Sequence, residues 1–170
     1  MSTFRGLLQS DVQRAEDFSE LFNRINRQLY NEGEVLQYLT VVFFDYDEKT
    51  GQLQYFNAGH FDPLIVRPSG TSSPLSGGGP PLGMFQDSRY ALQSCRMEAG
   101  DLLLLFTDGL VELRDAQDQF FGVNGILEAV VARRTLRLKD LARDVLARAA
   151  RFSSKPQPDD DLTLFLMRFR

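Results

Sequence analysis

Acidic residues gather where two apolar segments of this sequence begin or end. Asp159, Asp160 and Asp161 stand in a row directly before the nearly unbroken apolar run 162–169, and Asp108 follows the leucines of "LLLLFTDG". Like charges held this close repel one another, so the row needs a compensating interaction. Carboxylate oxygens grouped in this way are suited to a hard divalent cation such as Mg, Mn or Ca.

Asp108 and the acidic row can form one site if the two apolar runs are neighbouring antiparallel strands. The end of one strand then meets the start of the other, and Asp108 and Asp160 share that edge. Gly109 fits this prediction, because a residue without Cβ lets backbone or water approach a metal closely. A simpler interpretation stays open: aspartates at strand ends often cap solvated turns, and each motif taken alone favours that role.

The composition indicates a soluble globular protein of one domain. The chain has 170 residues, of which 43% are hydrophobic and 25% are charged. A net charge of -4 and a pI near 5.0 argue against general nucleic-acid binding, which needs clustered Lys and Arg. The small basic group at Arg133, Arg134 and Arg137 is interpreted as a solvated helix end.

Cysteine usage and hydropathy indicate a cytoplasmic protein that does not enter a membrane. The single cysteine, Cys95, excludes an internal disulfide and a Cys-rich zinc site. No apolar segment reaches transmembrane length, and the first residues lack the pattern of a signal peptide.

Apolar spacing predicts helices in two parts of the chain. The segment from Asp17 to Tyr30 has an apolar face and a capping box formed by Asp17 and Glu20, and a further helix is expected before it, in "MSTFRGLLQSDVQ". Two more helices are expected after "TDGLVELRDAQDQFFG", with apolar stripes at Ile126, Leu127, Val130 and Val131 and at Leu138, Leu141, Ala142, Val145 and Ala149.

Strand patterns lie between these helices and at the end of the chain. "YLTVVFFDYD" and "GQLQYFNAG" predict a hairpin closed at Gly51, "DPLIVRP" a strand, and "SGTSSPLSGGGPPLG" a loop. "RYALQSC" and "DLLLLF" predict a second hairpin that turns at Gly100, and the leucine run implies cover on both faces. With a last strand after Asp161, the order of elements predicts an α+β domain in which sheets pack face to face with helices outside.

Four motifs taken in order resemble one known family. "FNAGHFDPLIV", "PPLGM", "MEAGDLLLLFTDGLVELRDAQDQFFG" and "PDDDLTLFLMRF" are similar to the sporulation stage II protein E type of metal-dependent serine/threonine protein phosphatase, a bacterial branch of the PPM superfamily. The resemblance covers essentially the whole chain. The most specific pieces are A-G-H after a strand, G-D-x-L-L-L-x-T-D-G, and the terminal D-D-x-T.

The resemblance implies a layered α/β/β/α sandwich of antiparallel sheets with two Mn or Mg ions at one sheet edge. The ions hold a water that attacks phosphoserine or phosphothreonine directly. By motif, Asp108 and Asp160 are the expected catalytic and metal-binding residues. Asp161, next to Asp160, is expected to support the metal ligands without binding the metal itself, and Asp159 is expected to be a surface residue. His60 could donate a proton to the leaving group, although a structural hydrogen-bonding role is favoured for it.

The resemblance also implies partners and an alternative function. The expected substrates are phosphorylated anti-anti-sigma-factor proteins or related signalling domains, and a sensor or receiver domain usually precedes the phosphatase domain. The helix from Asp17 to Tyr30 could form a homodimer or partner interface, although a role in covering the core is simpler. The competing function is a phosphatase-like interaction domain without turnover.

The beginning of the sequence departs from the family pattern. Family members carry two earlier metal aspartates in G-G-D-[FY] and G-D-V-S-G-H-G blocks, and neither block occurs here, while "MSTFRGLL" resembles the end of the helix that follows them. Three explanations are open: a fragment, a degenerate phosphatase kept as a binding module, or one half completed by another polypeptide. The first is favoured. Residues 1–170 are then the C-terminal portion of the family domain, without its N-terminal strands, and slow turnover is expected.

Overall fold

The computed structural model describes residues 17–32, 38–155 and 157–170. They form two compact units: the first holds the described residues up to His60 together with Ser76–Arg96, and the second holds Phe61–Leu75 and Met97–Arg170. The helix expected before Asp17 lies outside the described residues. That the whole chain is a single domain stays a prediction.

Helix α1 spans Phe18–Glu32 and confirms the amphipathic pattern. Asp17 caps it, because its Oδ1 accepts the N–H of Ser19 at 2.7 Å and the N–H of Glu20 at 3.2 Å. These N–H groups belong to the first helical turn, where no intrahelical acceptor exists. The apolar side of the helix joins the core of the first unit through three buried side chains, Leu21, Phe22 and Ile25.

Strands β1 (Val41–Asp47) and β2 (Gln52–Ala58) form the predicted antiparallel hairpin. The Lys49 N–H donates to the Asp47 carboxylate at 2.8 Å. That hydrogen bond is the main reason why the pKa of Asp47 is lowered. Gly51 completes the turn with a φ of 73°, a conformation that favours glycine.

The Gly- and Pro-rich segment that follows β3 (Leu64–Val66) is more ordered than its composition predicts. It contains the short strands β4 (Ser72–Pro74) and β5 (Gly78–Gly79), so the loop prediction is wrong at those residues. β4 pairs with β3, and β5 runs parallel to the end of β2. A Cβ on Gly78 would lie 1.8 Å from the carbonyl oxygen of Asn57, so this pairing depends on the missing side chain.

The second predicted hairpin is wrong. Strand β6 (Gln93–Arg96) pairs with β2, whereas β7 (Leu102–Phe106) lies between β3 and β8 (Leu164–Arg168) in the other sheet. β6 is polar and largely exposed, but β7 is buried and needs apolar neighbours, which β3 and β8 supply. Gly100 does turn the chain, with a φ of 92°, but the turn leads from one sheet to the other.

The buried strand β7 is the centre of the second unit. Leu102, Leu103 and Leu104 are at most 1% exposed, which confirms that the leucine run is covered on both faces. Helices α3 (Gly122–Arg133) and α4 (Leu138–Phe152), both predicted, pack their apolar stripes into the core that contains β7.

A single helical turn, α2 (Asp108–Val111), follows β7 directly and was not predicted. Among the described helices, none has both the length and the apolar character required to cross a membrane. Two mainly antiparallel sheets and these helices confirm the α+β fold class.

Polar side chains of α1 hold the segment that follows β5. The hydroxyl of buried Tyr90 donates to the Pro80 carbonyl at 2.8 Å, and the Tyr90 N–H donates to the Asn23 side chain at 2.8 Å. Asn26 is completely buried and donates to the Phe85 carbonyl at 2.9 Å. The buried polar side chains of Tyr90 and Asn26 therefore each have a defined partner.

Replacing Tyr90 with Phe should lower the free energy of unfolding by about 1–2 kcal/mol, because the Pro80 carbonyl loses a buried donor. Tyr38 is 58% exposed, so Tyr38→Phe is the control and should change the free energy of unfolding by less than about 0.5 kcal/mol. Urea unfolding of both variants checks this, and equal losses would contradict it.

The same variant has an expected alkaline signature. Burial raises the pKa of the Tyr90 phenol, and a hydrogen bond with Ser88 opposes this to a smaller extent. The stability linked to this group is therefore complete below the ordinary tyrosine pKa and is lost as the pH rises through the raised value. Tyr90→Phe should therefore lack this part of the loss of stability at alkaline pH.

Candidate functional site

The end of β7 and the start of β8 meet, as the sequence predicted. The two strands are antiparallel, and their last paired residues at this edge are Phe106 and Leu164. Beyond that pair, the Thr107 N–H donates to the Thr163 carbonyl at 3.2 Å. The T-D-G and D-D-x-T motifs are therefore adjacent in space, although more than fifty residues separate them in the chain.

The hydroxyl of Thr107 makes a second link between the motifs. It donates to the Asp161 carbonyl at 3.0 Å and accepts the N–H of Thr163 at 3.0 Å. Sequence analysis did not single out this threonine, because a lone hydroxyl beside an aspartate gives no signal of a partner so far away in the chain.

Gly109 is required by the close approach of the two motifs. A Cβ at this position would lie 2.5 Å from the Asp161 carbonyl oxygen and 3.3 Å from the carbonyl carbon of Asp160. The sequence predicted that this glycine allows close approach to a metal, and that reason stays a prediction. The structure shows a different reason, the close approach of the backbone of the acidic row.

The carboxylates at this edge are exposed and only partly engaged. Oδ1 of Asp108 accepts the Gly109 N–H at 3.0 Å, and Oδ1 of Asp160 accepts the Asp161 N–H at 2.7 Å. The second oxygen of Asp108 and that of Asp160 accept no hydrogen bond from the part of the chain that the structure describes. Asp159 pairs with Lys155 at 2.5 Å and is largely exposed, which confirms it as a surface residue.

The donor set at this edge fits a hard divalent cation. Mg commonly binds through one or two carboxylates, keeps several waters and takes further ligands from phosphate. Asp108 and Asp160 can supply two such carboxylates at adjoining strand ends. Within residues 17–32, 38–155 and 157–170, no cluster of three His, Cys, Asp or Glu side chains could hold a metal. The role of both aspartates as metal ligands stays a prediction.

His60 lies at the exit of β2, in a turn built by Asn57. The Asn57 side chain accepts the His60 N–H at 2.8 Å and donates to the His60 carbonyl at 2.8 Å. Gly59 takes a φ of 74°, and a Cβ there would lie 2.5 Å from the Pro81 ring. These contacts explain the N-A-G-H sequence as a tight strand exit. They involve the His60 backbone, so the role of its imidazole stays a prediction.

A polar cleft of about 270 Å³ adjoins Asp160. Its lining includes Gly109, Glu112, Arg114, Ser153 and Lys155. The Ser154 N–H donates to the Arg114 carbonyl at 2.9 Å, which ties the segment before the acidic row to the segment after α2. No sequence pattern predicted this cleft, because its residue types are ordinary for solvated loops.

Comparison with known families and curated proteins gives a consistent set of relatives. The family described as Stage II sporulation protein E (SpoIIE) matches residues 1–170. The phosphoserine phosphatase RsbP of Bacillus subtilis is 32% identical over 109 residues, which are 64% of this chain and 27% of RsbP. Protein IcfG of Synechocystis is 31% identical over 100 residues, which are 59% of this chain and 16% of IcfG. The matches thus span less than a third of either relative.

Solved structures show the same fold. The RsbU and RsbW domains of a Mycobacterium tuberculosis protein align with a TM-score of 0.81 and 24% identity over 100% of this chain and 47% of that one. The Mn-presoaked phosphatase domain of SpoIIE from Bacillus subtilis gives a TM-score of 0.63 and 20% identity over 98% of this chain and 71% of that one. RsbX in complex with magnesium gives a TM-score of 0.66 and 18% identity over 97% of this chain and 70% of RsbX. These matches confirm the expected phosphatase-type fold.

Gly109→Ala should force the two motifs apart, because the new methyl group would overlap the Asp161 carbonyl. We expect a loss of about 1–3 kcal/mol in the free energy of unfolding and faster amide hydrogen exchange at Thr163.

The matched control is Gly122→Ala, where a Cβ meets nothing within 4 Å but the φ of 68° is strained. It should cost about 1–2 kcal/mol and leave exchange at Thr163 unchanged. Unchanged Thr163 exchange in Gly109→Ala would contradict the close packing of the motifs.

Proposed function

The chain belongs to the Stage II sporulation protein E family, and from that premise we propose that it is part of a metal-dependent protein serine/threonine phosphatase. The observation that carries the proposal is the pairing of β7 with β8, which brings T-D-G next to D-D-x-T. Curated relatives that match the chain are named phosphoserine phosphatases, which supports the same reaction.

In this proposal Asp108 and Asp160 hold Mn or Mg, with two ions in the complete family site. A bound divalent ion would supply an activated water and neutralise charge on the phosphoryl oxygens. Without a cation, two exposed carboxylates would repel a phosphate group, so the acidic edge by itself disfavours the substrate. The oxygens of Asp108 and Asp160 that accept no hydrogen bond from the described residues are the atoms assigned to the ion.

The proposed substrate is a phosphorylated bacterial signalling protein of the anti-anti-sigma-factor type, acting in the cytoplasm. Support comes from the matches to RsbP and to RsbU and RsbW domains. The cleft beside Asp160 carries Arg114, Lys155 and Glu112 on its lining, so it offers charges of both signs to polar groups that flank a phosphoserine. A preceding sensor or receiver domain and a homodimer are part of the same proposal. The apolar side of α1 packs into the core of the first unit, which supports the simpler role of this helix in covering the core.

Titration of Mn into the purified chain tests the metal assignment. We expect micromolar binding, followed by calorimetry, and a loss of about 100-fold or more in affinity when Asp108→Asn and Asp160→Asn are combined. The control is Asp159→Asn, which removes an exposed carboxylate that already pairs with Lys155 and should leave the affinity unchanged.

Phosphate release from a phosphoserine protein tests the reaction with the same variants. Release should depend on Mn and fall at least about tenfold in Asp108→Asn, because charge neutralisation at the phosphoryl group is lost. Mn binding that survives in the double variant would refute the assignment of these ligands. Stable capture of the phosphoprotein without release would instead support the alternative function, a phosphatase-like interaction domain.

A further inference from the structure

Thr107 stands at the N-cap position of α2, but its hydroxyl does not cap that helix. Threonine at an N-cap usually accepts an N–H from the first turn, and this is why the residue is favoured there. Here the hydroxyl bonds across to the segment before β8. The usual local explanation for a threonine at this position therefore does not apply.

Both hydrogen-bonding functions of this hydroxyl serve the opposite segment. A threonine hydroxyl has one donor and two acceptor lone pairs. The donor is used by the Asp161 carbonyl and one lone pair by the Thr163 N–H, each at 3.0 Å. A single side chain therefore fixes two backbone groups on either side of Leu162.

The regular ladder stops before the acidic row, and the backbone hydrogen bond beyond it, from the Thr107 N–H to the Thr163 carbonyl at 3.2 Å, does not reach Asp160. The last ladder pair is Phe106 with Leu164, and β8 begins at Leu164. Between Asp159 and Thr163 the described chain has no strand or helix. The position of Asp160 therefore depends on the contacts that Thr107 and Gly109 make with its neighbours.

We propose that Thr107 is a positioning residue for the site proposed above, and that its hydroxyl holds Asp160 in place relative to Asp108. The argument rests on the proposed function, because it concerns the two carboxylates assigned to the metal. Thr107 is covalently joined to Asp108, and its hydroxyl binds the carbonyl of Asp161, the residue covalently joined to Asp160. The Thr107 side chain thus links Asp108, its own neighbour in the chain, to Asp160, and only Asp161 lies between the hydroxyl and Asp160.

The test compares three variants of the same chain. Thr107→Val keeps the shape but removes the hydroxyl, Thr107→Ser keeps the hydroxyl, and Thr71→Val removes an exposed hydroxyl that pairs with Ser69 at 2.9 Å. Each is first shown to be folded by thermal melting. Two quantities are then measured: amide hydrogen exchange at Thr163 without metal, and Mn affinity by calorimetry.

We expect Thr107→Val to speed exchange at Thr163 and to weaken Mn binding about tenfold or more, the usual effect of losing a group that orients a ligand. Thr107→Ser should stay within about threefold of the parent affinity, and Thr71→Val should match the parent in both measurements. Rescue by serine separates the hydroxyl from the bulk of the side chain.

Two results would overturn the inference. In the first, Thr107→Val exchanges faster at Thr163 yet binds Mn like the parent. The hydrogen bonds of the Thr107 hydroxyl would then exist without positioning Asp160 for the metal. In the second, Thr107→Ser is as weak as Thr107→Val, so that the hydroxyl is not the determinant. If the parent chain binds no Mn, the proposed function fails, whereas exchange that depends on the hydroxyl still supports Thr107 as the link between the strand ends.

Discussion

The antiparallel pairing of β7 with β8 is the constraint on which the second unit depends. It joins the middle of the chain to its end through five residue pairs, from Leu102 with Arg168 to Phe106 with Leu164. At the far end the pairing continues, because the Gly100 N–H donates to the Phe169 carbonyl at 2.9 Å. The apolar surface of β7 then organises α3 and α4, and the register leaves no freedom in which residues meet at the acidic edge.

The acidic residues at the two ends of β7 differ in burial and in charge pairing. At its start, Asp101 is completely buried, pairs with Arg67, and accepts the Glu98 N–H at 2.7 Å. A buried carboxylate needs such fixed partners, because its desolvation cost is otherwise too large. At the other end, Asp108 and Asp160 are exposed, and each engages only one oxygen within the described chain. The buried Oδ1 of Asp101 has no hydrogen-bond partner within the described residues, so one carboxylate oxygen is left over at both ends of the strand. What separates the two ends is exposure: the Asp101 carboxylate is buried against Arg67, whereas those of Asp108 and Asp160 can be reached by a ligand.

Local patterns predicted the elements that local physics determines. The cap at Asp17, the hairpin turn at Gly51 and the apolar stripes of α3 and α4 all act within a few residues, and the structure has them as predicted. The partner of β6 and the strands β4 and β5 could not be predicted in this way. Their pairing depends on which distant strand offers a free edge, and a Gly- or Ser-rich segment carries no apolar pattern that would reveal its partner. The meeting of the two strand ends that carry Asp108 and Asp160 was predictable because both flank long apolar runs, whereas the bridge made by Thr107 has no such signal.

The spacing of the two motifs has a physical explanation once their residues are placed together. In T-D-G, the threonine supplies a hydroxyl that reaches across, the aspartate carries the charge, and the glycine leaves room for the opposing backbone. In D-D-x-T, the second aspartate contributes its carbonyl and the threonine its N–H, two positions apart, to that same hydroxyl. A shift of one residue in either motif would separate a donor from its acceptor or place a Cβ against a carbonyl. Thr107 and Gly109 are therefore requirements set by the backbone of the opposing motif, whereas the carbonyl and the N–H that D-D-x-T contributes are backbone groups that almost any residue supplies. The carboxylates of Asp108 and Asp160 take no part in this contact, which leaves them available to a ligand.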